Sequence, residues 1–412
     1  MAEQKEILAD YGPKRTGKFD GYVIIIACFF IMVMVNGAQY CFGVFFKPMI
    51  NEFGWTRAAT SGAFSLHMFV NGLLAILAGR LADKFGTRLV VTFGGVILGT
   101  GYILTSQTHT LWQLYLFFGV IVAAGSSTMY VPIVAMITRW FPRNAGLMAG
   151  IGISGIGFGI GVVPIIAARL IVIFDWQIAI LILGVVSLVL IVVLTQLLKP
   201  PVAVSAAFNG KNVRSGIKED YSFREAILTR QFWMFFVGWI CYGFFYSIGL
   251  VHIVPYAMDI GMSATAAATI LTVIGLVGTA GRVGMGFSGD KYTNRVTFIT
   301  CFSFLGLSFL GLTLFRSVAM LYVFGVIYGT MNGVGILLAP IIAEYFGFKD
   351  LGSIVGAVIF ANNIGSAIGP TLAGALFDST GSYQLAFLTS SIAGIAAAIV
   401  VWRMKKPVRR FI

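Results

Sequence analysis

The sequence predicts an all-α membrane protein: twelve transmembrane helices in two pseudo-symmetric six-helix halves. Three observations carry that prediction: a composition too apolar for a soluble chain, twelve apolar runs of spanning length, and a pattern that returns after half the chain. Of 412 residues, 58% are hydrophobic and 10% charged, and the mean hydropathy is +0.93. That balance excludes a soluble enzyme. Fifty glycines suit close-packed membrane helices, and thirty-six phenylalanines suit surfaces that face lipid.

A helix needs about 20 apolar residues to cross a hydrocarbon core of about 30 Å. The first such run, residues 20–46, follows a tail, 1–19, that holds Lys5, Lys14, Arg15 and Lys18 and lacks the apolar core and cleavage site of a signal peptide. Next come 58–79, which carries His67; 89–106; 111–138, which carries Tyr130; the glycine-rich 144–172; and 176–197. These six runs make a first half, 20–197, and a polar linker, 198–230, follows it. The second half, 231–403, contains 231–258 with His252, 263–288 with Arg282, 295–314, 318–345 with Tyr328 and Asn332, 351–377 with Asn362, and 383–403. Residues 404–412 form a second basic tail.

Charge placement orients the bundle. Twenty-three of the 28 Lys and Arg fall on the side shared by both termini, four (Lys47, Arg57, Arg169 and Arg316) on the other, and Arg282 lies within a helix. The positive-inside bias therefore puts both termini in the cytoplasm. The same fringe accounts for the net charge of +13 without a nucleic-acid partner. Cys28, Cys41, Cys241 and Cys301 stand singly in apolar runs, so neither a disulfide framework nor a metal site is expected. No cofactor site is visible, and no nucleophile or carboxylate pair suggests a membrane enzyme.

The repeat is explicit in two loops. Gly79-Arg-Leu-Ala-Asp83-Lys84-Phe-Gly-Thr-Arg88 matches Gly286-Phe-Ser-Gly-Asp290-Lys291-Tyr-Thr-Asn-Arg295 at an offset of 207. Gly146, Gly150 and Gly159 match Gly352, Gly356 and Gly365 at an offset of 206, half the chain. An aspartate at a helix end with arginine across a tight turn can pin neighbouring helices in one conformation and release them in another, so Asp83, Arg88, Asp290 and Arg295 are conformational-switch candidates.

Paired loops, twelve helices and a central linker resemble the major facilitator superfamily, whose halves rock around a midplane site. Within it, Phe19-Asp20-Gly21-Tyr22 resembles a weakened form of the monocarboxylate transporter signature, and Val131-Pro132 through Arg139-Trp140-Phe141-Pro-Arg143 to Gly150 resembles the fourth-to-fifth helix signature of that family and of bacterial oxalate/formate exchangers. The resemblance implies transport of a carboxylate by alternating access.

Arg282 is the charge that a lipid-spanning helix should not carry. It lies eight residues before Asp290, about 12 Å from the helix end at 1.5 Å per residue, so it should face a water-filled cavity. None of the fifteen acids sits at comparable depth, and the guanidinium fork suits a carboxylate. Gly278-Thr-Ala-Gly281-Arg282 also resembles the eighth helix of both families, whose arginine binds substrate carboxylate. Where the exchangers place a second cation, this chain has Asn362, which favours a monocarboxylate. The same resemblance puts Tyr130 at a pore tyrosine and Tyr40 in place of a first-helix lysine. Tyr328 and Asn332, one turn apart, are further contact candidates, as are Asn36 and Gln39, with Phe360 as an apolar wall.

Animal monocarboxylate carriers have an aspartate four residues before the arginine; here that position is Gly278. A coupled proton must then sit elsewhere. His252 is the proton-coupling candidate, since histidine titrates near neutral pH, with His67 ranked after it and His109 in an outer turn. The expected protein is a monomeric, proton-coupled symporter of a small monocarboxylate such as lactate or pyruvate, in a prokaryotic cytoplasmic (inner) membrane. The alternative is a carboxylate exchanger of the oxalate/formate type. The duplicated halves favour either over a passive channel.

Overall fold

The computed structural model describes residues 18–141, 145–199, 221–291, 293–347 and 350–405; within these, the side chains of residues 18–20, 76, 83, 145–147, 283 and 286–291 are not described. Among the described residues, twelve rods follow in order: α1 (Lys18–Tyr40 continued by Phe42–Phe53), α2 (Arg57–Phe85), α3 (Thr87–Thr105), α4 (Leu111–Trp140), α5 (Ala145–Ile173), α6 (Trp176–Thr195), α7 (Arg230–Asp259), α8 (Ala264–Lys291), α9 (Asn294–Leu314), α10 (Val318–Phe346), α11 (Leu351–Thr380) and α12 (Gln384–Arg403). All but α2 are among the eleven candidate membrane spans. A short helix, Phe223–Ile227, capped by Ser222 and Glu225, leads into α7. The tails and most of the linker lie outside the described residues.

The rods alternate in direction, so their connections gather on two faces. The terminus face holds residues 18 and 405 and the α2–α3, α4–α5, α6–α7, α8–α9 and α10–α11 connections; the far face holds the rest. Turns on the far face are sharp. Gly54 closes α1 and Gly381 closes α11 in left-handed conformations, φ 68° and 69°, that side chains rarely adopt.

Packing repeats the sequence duplication. In the first half α1 lies on α5, α2 on α4 and α3 on α6; in the second α7 lies on α11, α8 on α10 and α9 on α12. Glycine sets how near the axes come. A Cβ on Gly37 would stand 2.9 Å from the Gly159 carbonyl, and one on Gly365 would stand 1.9 Å from the Ile240 carbonyl, against the strand of α7 that holds Gly243. Gly37 and Gly243, like Gly159 and Gly365, are 206 residues apart, so one small-residue crossing is used twice.

Two crossings, α2 with α11 and α5 with α8, again a duplicated pair, join the halves, and the Phe42–Phe53 part of α1 meets α7 between them, where a Cβ on Gly43 would stand 2.8 Å from the Val251 carbonyl. In the second, Gly275 meets the Gly157 carbonyl and Gly161 backbone, where a Cβ would fall within 2.3–2.8 Å. Thr272 donates to the Gly161 carbonyl at 2.6 Å. In the first, Gly72 packs on Asn363 and Gly374 on the start of α2.

Backbone regularity fails in α4 and α10. Tyr115–Val122 is a π-helix, and a turn at Thr128 and Met129 precedes Tyr130. Asn332–Leu337 is a 3₁₀ segment. Irregular backbone at membrane depth is tolerated where protein or a cavity can satisfy it, which directs attention to both sites.

Candidate substrate site

Arg282 lies nine residues from the end of α8 at Lys291, so about 14 Å of helix separates it from the terminus face. Gly281 and Thr330 share a close backbone approach, and Gly333 presses on the Arg282 amide, so α8 and α10 are held together at this level. The guanidinium crosses to the other half: a Cβ on Gly157 of α5 would stand 2.5 Å from Nη1. Glycine there leaves the room that the guanidinium occupies.

That Nη1 is buried and has no hydrogen-bond partner among the described residues. An unsatisfied donor on a cation inside a membrane protein is costly, and a carboxylate would satisfy it. Three hydroxyls lie within its field: Tyr130 of α4, and Tyr242 and Tyr246 of α7. Tyr130 is 45% exposed although it lies mid-helix, so it faces an open space. Tyr242 donates to Asn332 Oδ1 at 2.8 Å, which fixes the amide at the start of the 3₁₀ segment.

The remaining sequence candidates separate. Tyr40 reaches the group, its hydroxyl 3.5 Å from that of Tyr246 and the rings edge-on at 6.2 Å. Tyr328 stands behind it, fully buried, donating to the Tyr246 carbonyl at 2.6 Å. Asn362 abuts Gly243, next to Tyr242, and its Oδ1 is buried without a partner among the described residues. Phe360 is part-buried on α11, and no ring contact ties it to the arginine among the described residues. Asn36 turns to the Met32 carbonyl at 3.1 Å, and Gln39 to the Met68 sulfur at 3.8 Å.

Tyr242 and Tyr246 escaped the sequence reading because aromatic residues in an apolar run read as core. The repeat held the signal: Tyr246 falls 206 residues after Tyr40, and Tyr242 falls 206 after Asn36.

His252 belongs to a different assembly, at the far face. Its Nε2 lies 2.9 Å from the Pro370 carbonyl, which can only accept, so that nitrogen carries the hydrogen. Nδ1 then accepts from the Tyr383 hydroxyl at 3.0 Å, and Tyr383 accepts from Arg57 Nη1 at 2.7 Å. Arg57 also grips Asp259 with both terminal nitrogens, at 2.7 and 3.0 Å, and lies 3.6 Å over the Phe377 ring. Lys47 joins Asp259 at 2.6 Å, and Asp378 accepts the Arg57 and Ala58 amides that begin α2. Donors of the first half thus meet acceptors of the second, and the far end is closed. Both nitrogens of His252 are engaged in this seal rather than at Arg282.

Arg88 of the first repeat loop donates to Gln196 at the end of α6, and Arg295 of the second donates to the Val401 carbonyl (3.3 Å) and the Trp402 carbonyl at the end of α12. Each loop arginine anchors to the last helix of its own half. The side chains of Asp83 and Asp290 lie outside those described. A hollow of about 560 Å³ beside Arg88, Arg139 and Gln196 lies within the first half, off the path between the halves.

The profile of the Major Facilitator Superfamily matches residues 28–339 and 283–410. The chain belongs to that superfamily. It is a multi-pass membrane transporter rather than an enzyme, and it takes a small-molecule substrate. It is 27% identical over 432 residues to human monocarboxylate transporter 12, covering 95% of this chain and 83% of that protein. It is 26% identical over 386 residues to rat monocarboxylate transporter 13, covering 90% and 86%. In fold it resembles an inward-facing, unoccupied bacterial homologue of the human lysosomal transporter Spinster (TM-score 0.70, 17% identity, 94% of this chain and 95% of that one) and the nucleoside transporter NupG (0.71, 13%, 91% and 99%). This superfamily chain therefore stands among relatives of the monocarboxylate transporter kind.

Proposed function

We propose that this chain carries small monocarboxylates, lactate- or pyruvate-like, together with a proton by alternating access, and that Arg282 binds the carboxylate. One observation carries the reading: a buried, unpartnered guanidinium nitrogen between the halves. Around it, Tyr130, Tyr242 with Asn332, and the Tyr40 and Tyr246 pair offer hydroxyls to an oxygen-bearing substrate. Asn362 supplies an amide where a dicarboxylate would want a second cation. Tyr328 and Phe360 shape the wall. Arg88 and Arg295, with Asp83 and Asp290, act as conformational latches on the terminus face.

The state is one closed at the far face. Toward the terminus face, Gly150, Gly284, Gly335, Gly352 and Gly356 have open space where a Cβ would stand. With both termini cytoplasmic, as the positive fringe favours, this is the inward-open carrier of a prokaryotic inner membrane.

The test is uptake of radiolabelled L-lactate into proteoliposomes with and without an inward proton gradient. Arg282→Ala should lower uptake at least about a hundredfold, because the loss of a charge-assisted, desolvated contact removes several kcal/mol. Unchanged uptake in that variant overturns the assignment. Gly278 supports a second reading, carboxylate exchange: with no acid beside it, an empty Arg282 resists occlusion. Uptake that requires a carboxylate loaded inside identifies exchange.

A further inference from the structure

We infer that His67 is the proton-binding residue of the carrier, an inference that rests on the proposed function. His67 is fully buried in α2. Its Nδ1 lies 3.1 Å from the Phe118 carbonyl, so Nδ1 carries the hydrogen of the neutral ring and Nε2 bears the lone pair. Nε2 faces Ser126 Oγ at 3.4 Å. That oxygen donates to the Ala123 carbonyl at 3.0 Å and accepts from Asn71 Nδ2 at 2.8 Å. One lone pair of Ser126 remains for an Nε2 hydrogen. A proton can therefore be added to His67 without leaving any donor unpaired and without moving a side chain.

His252 offers no such vacancy. Adding a proton to its Nδ1 obliges Tyr383, which already accepts from Arg57, to redirect its own hydrogen within the far seal.

The His67 ring stacks on Phe118 at 4.9 Å, whose face favours positive charge, and Phe64 lies alongside both rings at 6.2 and 6.3 Å. The π-helix Tyr115–Val122 carries the Phe118 carbonyl that receives Nδ1–H, and such wide turns concentrate at functional sites. Asn71, one turn along α2 from His67, bonds Ser126, and the turn at Thr128 and Met129 leads from there to Tyr130, which is exposed and within the field of Arg282.

Charge accounting ties the proton to the anion. Residues 58–79, 89–106 and 111–138, the packed spans of α2, α3 and α4, contain no Asp, Glu, Lys or Arg. Tyr40, Cys41, Tyr102 and Tyr115 on the packed elements are ordinarily neutral, and Lys47, Arg57, Asp259 and Asp378 of α1, α2, α7 and α11 are paired in the far seal, so the cation left between the halves is Arg282. An empty carrier then holds a single positive charge. Carboxylate alone cancels it; carboxylate on Arg282 with a proton on His67 restores it. Loaded and empty carriers thus cross the same barrier with the same charge, and each ligand favours binding of the other.

The experiment reconstitutes the full chain and measures, in the same vesicles, L-lactate counterflow and L-lactate accumulation driven by a pH gradient. The ratio of the two corrects for the amount of folded carrier. His67→Gln should lower that ratio at least about tenfold relative to wild type. Ser126→Ala, which removes the acceptor for Nε2–H, should move the pH midpoint of uptake to more acidic values. It serves as the deciding measurement if His67→Gln does not assemble. An unchanged ratio in His67→Gln, or an unchanged midpoint in Ser126→Ala, overturns the inference while leaving the proposed function standing. Wild-type carrier that moves no monocarboxylate in either assay overturns both.

Discussion

Along the seam between the halves, contact is made with different materials at the far end and at mid-depth. The far end is held by charge: Lys47 and Arg57 from the first half, Asp259 and Asp378 from the second, with Tyr383, His252 and Phe377 packed beneath. Deeper in, Gly72 packs on the Asn363 side chain and Gly275 on the bare backbone of Gly157 and Gly161, so contact there is made by uncharged groups. Charges switch over short distances and exact a desolvation cost, whereas the glycine crossings act as a bearing whose hydrogen bonds, Thr272 to the Gly161 carbonyl and Thr371 to Ser65, are between neutral groups. The far end is therefore a latch, and the mid-depth crossings are the pivot on which the halves turn.

Steric wedging should break that division most strongly. Gly374→Val puts a Cβ about 2.7 Å from the Ala58 nitrogen and the Arg57 backbone, so the far end cannot close as it stands; overpacking of this kind costs about 1–3 kcal/mol. The probe is Thr371→Cys, whose position is shielded in the closed seam by Ser65 at 2.8 Å. Gly374→Val should raise its labelling from the far side by roughly tenfold or more. No change in labelling means that the far seam does not govern exposure.

Removing the latch is the next effect. Arg57→Ala deletes the bidentate grip on Asp259 and the bond to Tyr383, leaving Asp259 with Lys47 alone. The side chains of Arg57 and Asp259 are 13% and 24% exposed, so the loss falls between surface and buried pairs, about 1–1.4 kcal/mol, a roughly five- to tenfold rise in Thr371→Cys labelling. If the pivot instead holds the far end shut, Gly374→Val acts and Arg57→Ala does not.

Much of this architecture is legible in the amino acids. Twelve apolar runs give the rods, and the offset of 206 or 207 gives the duplicated packing. Arg282 is legible because a lone charge at depth has no structural excuse. The seal is not: Arg57 and Asp259 stand 202 residues apart and Arg57 and Tyr383 326 apart, and each reads by itself as an ordinary helix-end residue. Only tertiary closure converts end charges into a latch. His252 shows the same limit. Its residue type suggests a proton, but its partners come from α11 and the start of α12. Tyr328 and Asn332 share a helical face in sequence and stay in contact although α10 leaves α-geometry at Asn332; what the sequence does not show is that Tyr246 and Tyr242 of α7 are their further partners.

The smallest effect discriminates between latch and mere surface decoration. Lys47 makes one bond, to the Asp259 oxygen that Arg57 Nη2 also contacts, and its side chain is 19% exposed. Lys47→Met keeps the apolar stem and removes the charge, so the change is electrostatic. Partial exposure and the competing arginine limit it to about 0.5–1 kcal/mol, a two- to fivefold rise in Thr371→Cys labelling. The same effect should shrink as salt rises from about 0.05 to 0.5 M, because screening weakens such a pair, while the wedge of Gly374→Val, being steric, should not respond. A salt-independent Lys47→Met would assign the lysine to packing, and the charge latch would then consist of Arg57 with Asp259 and Asp378 alone.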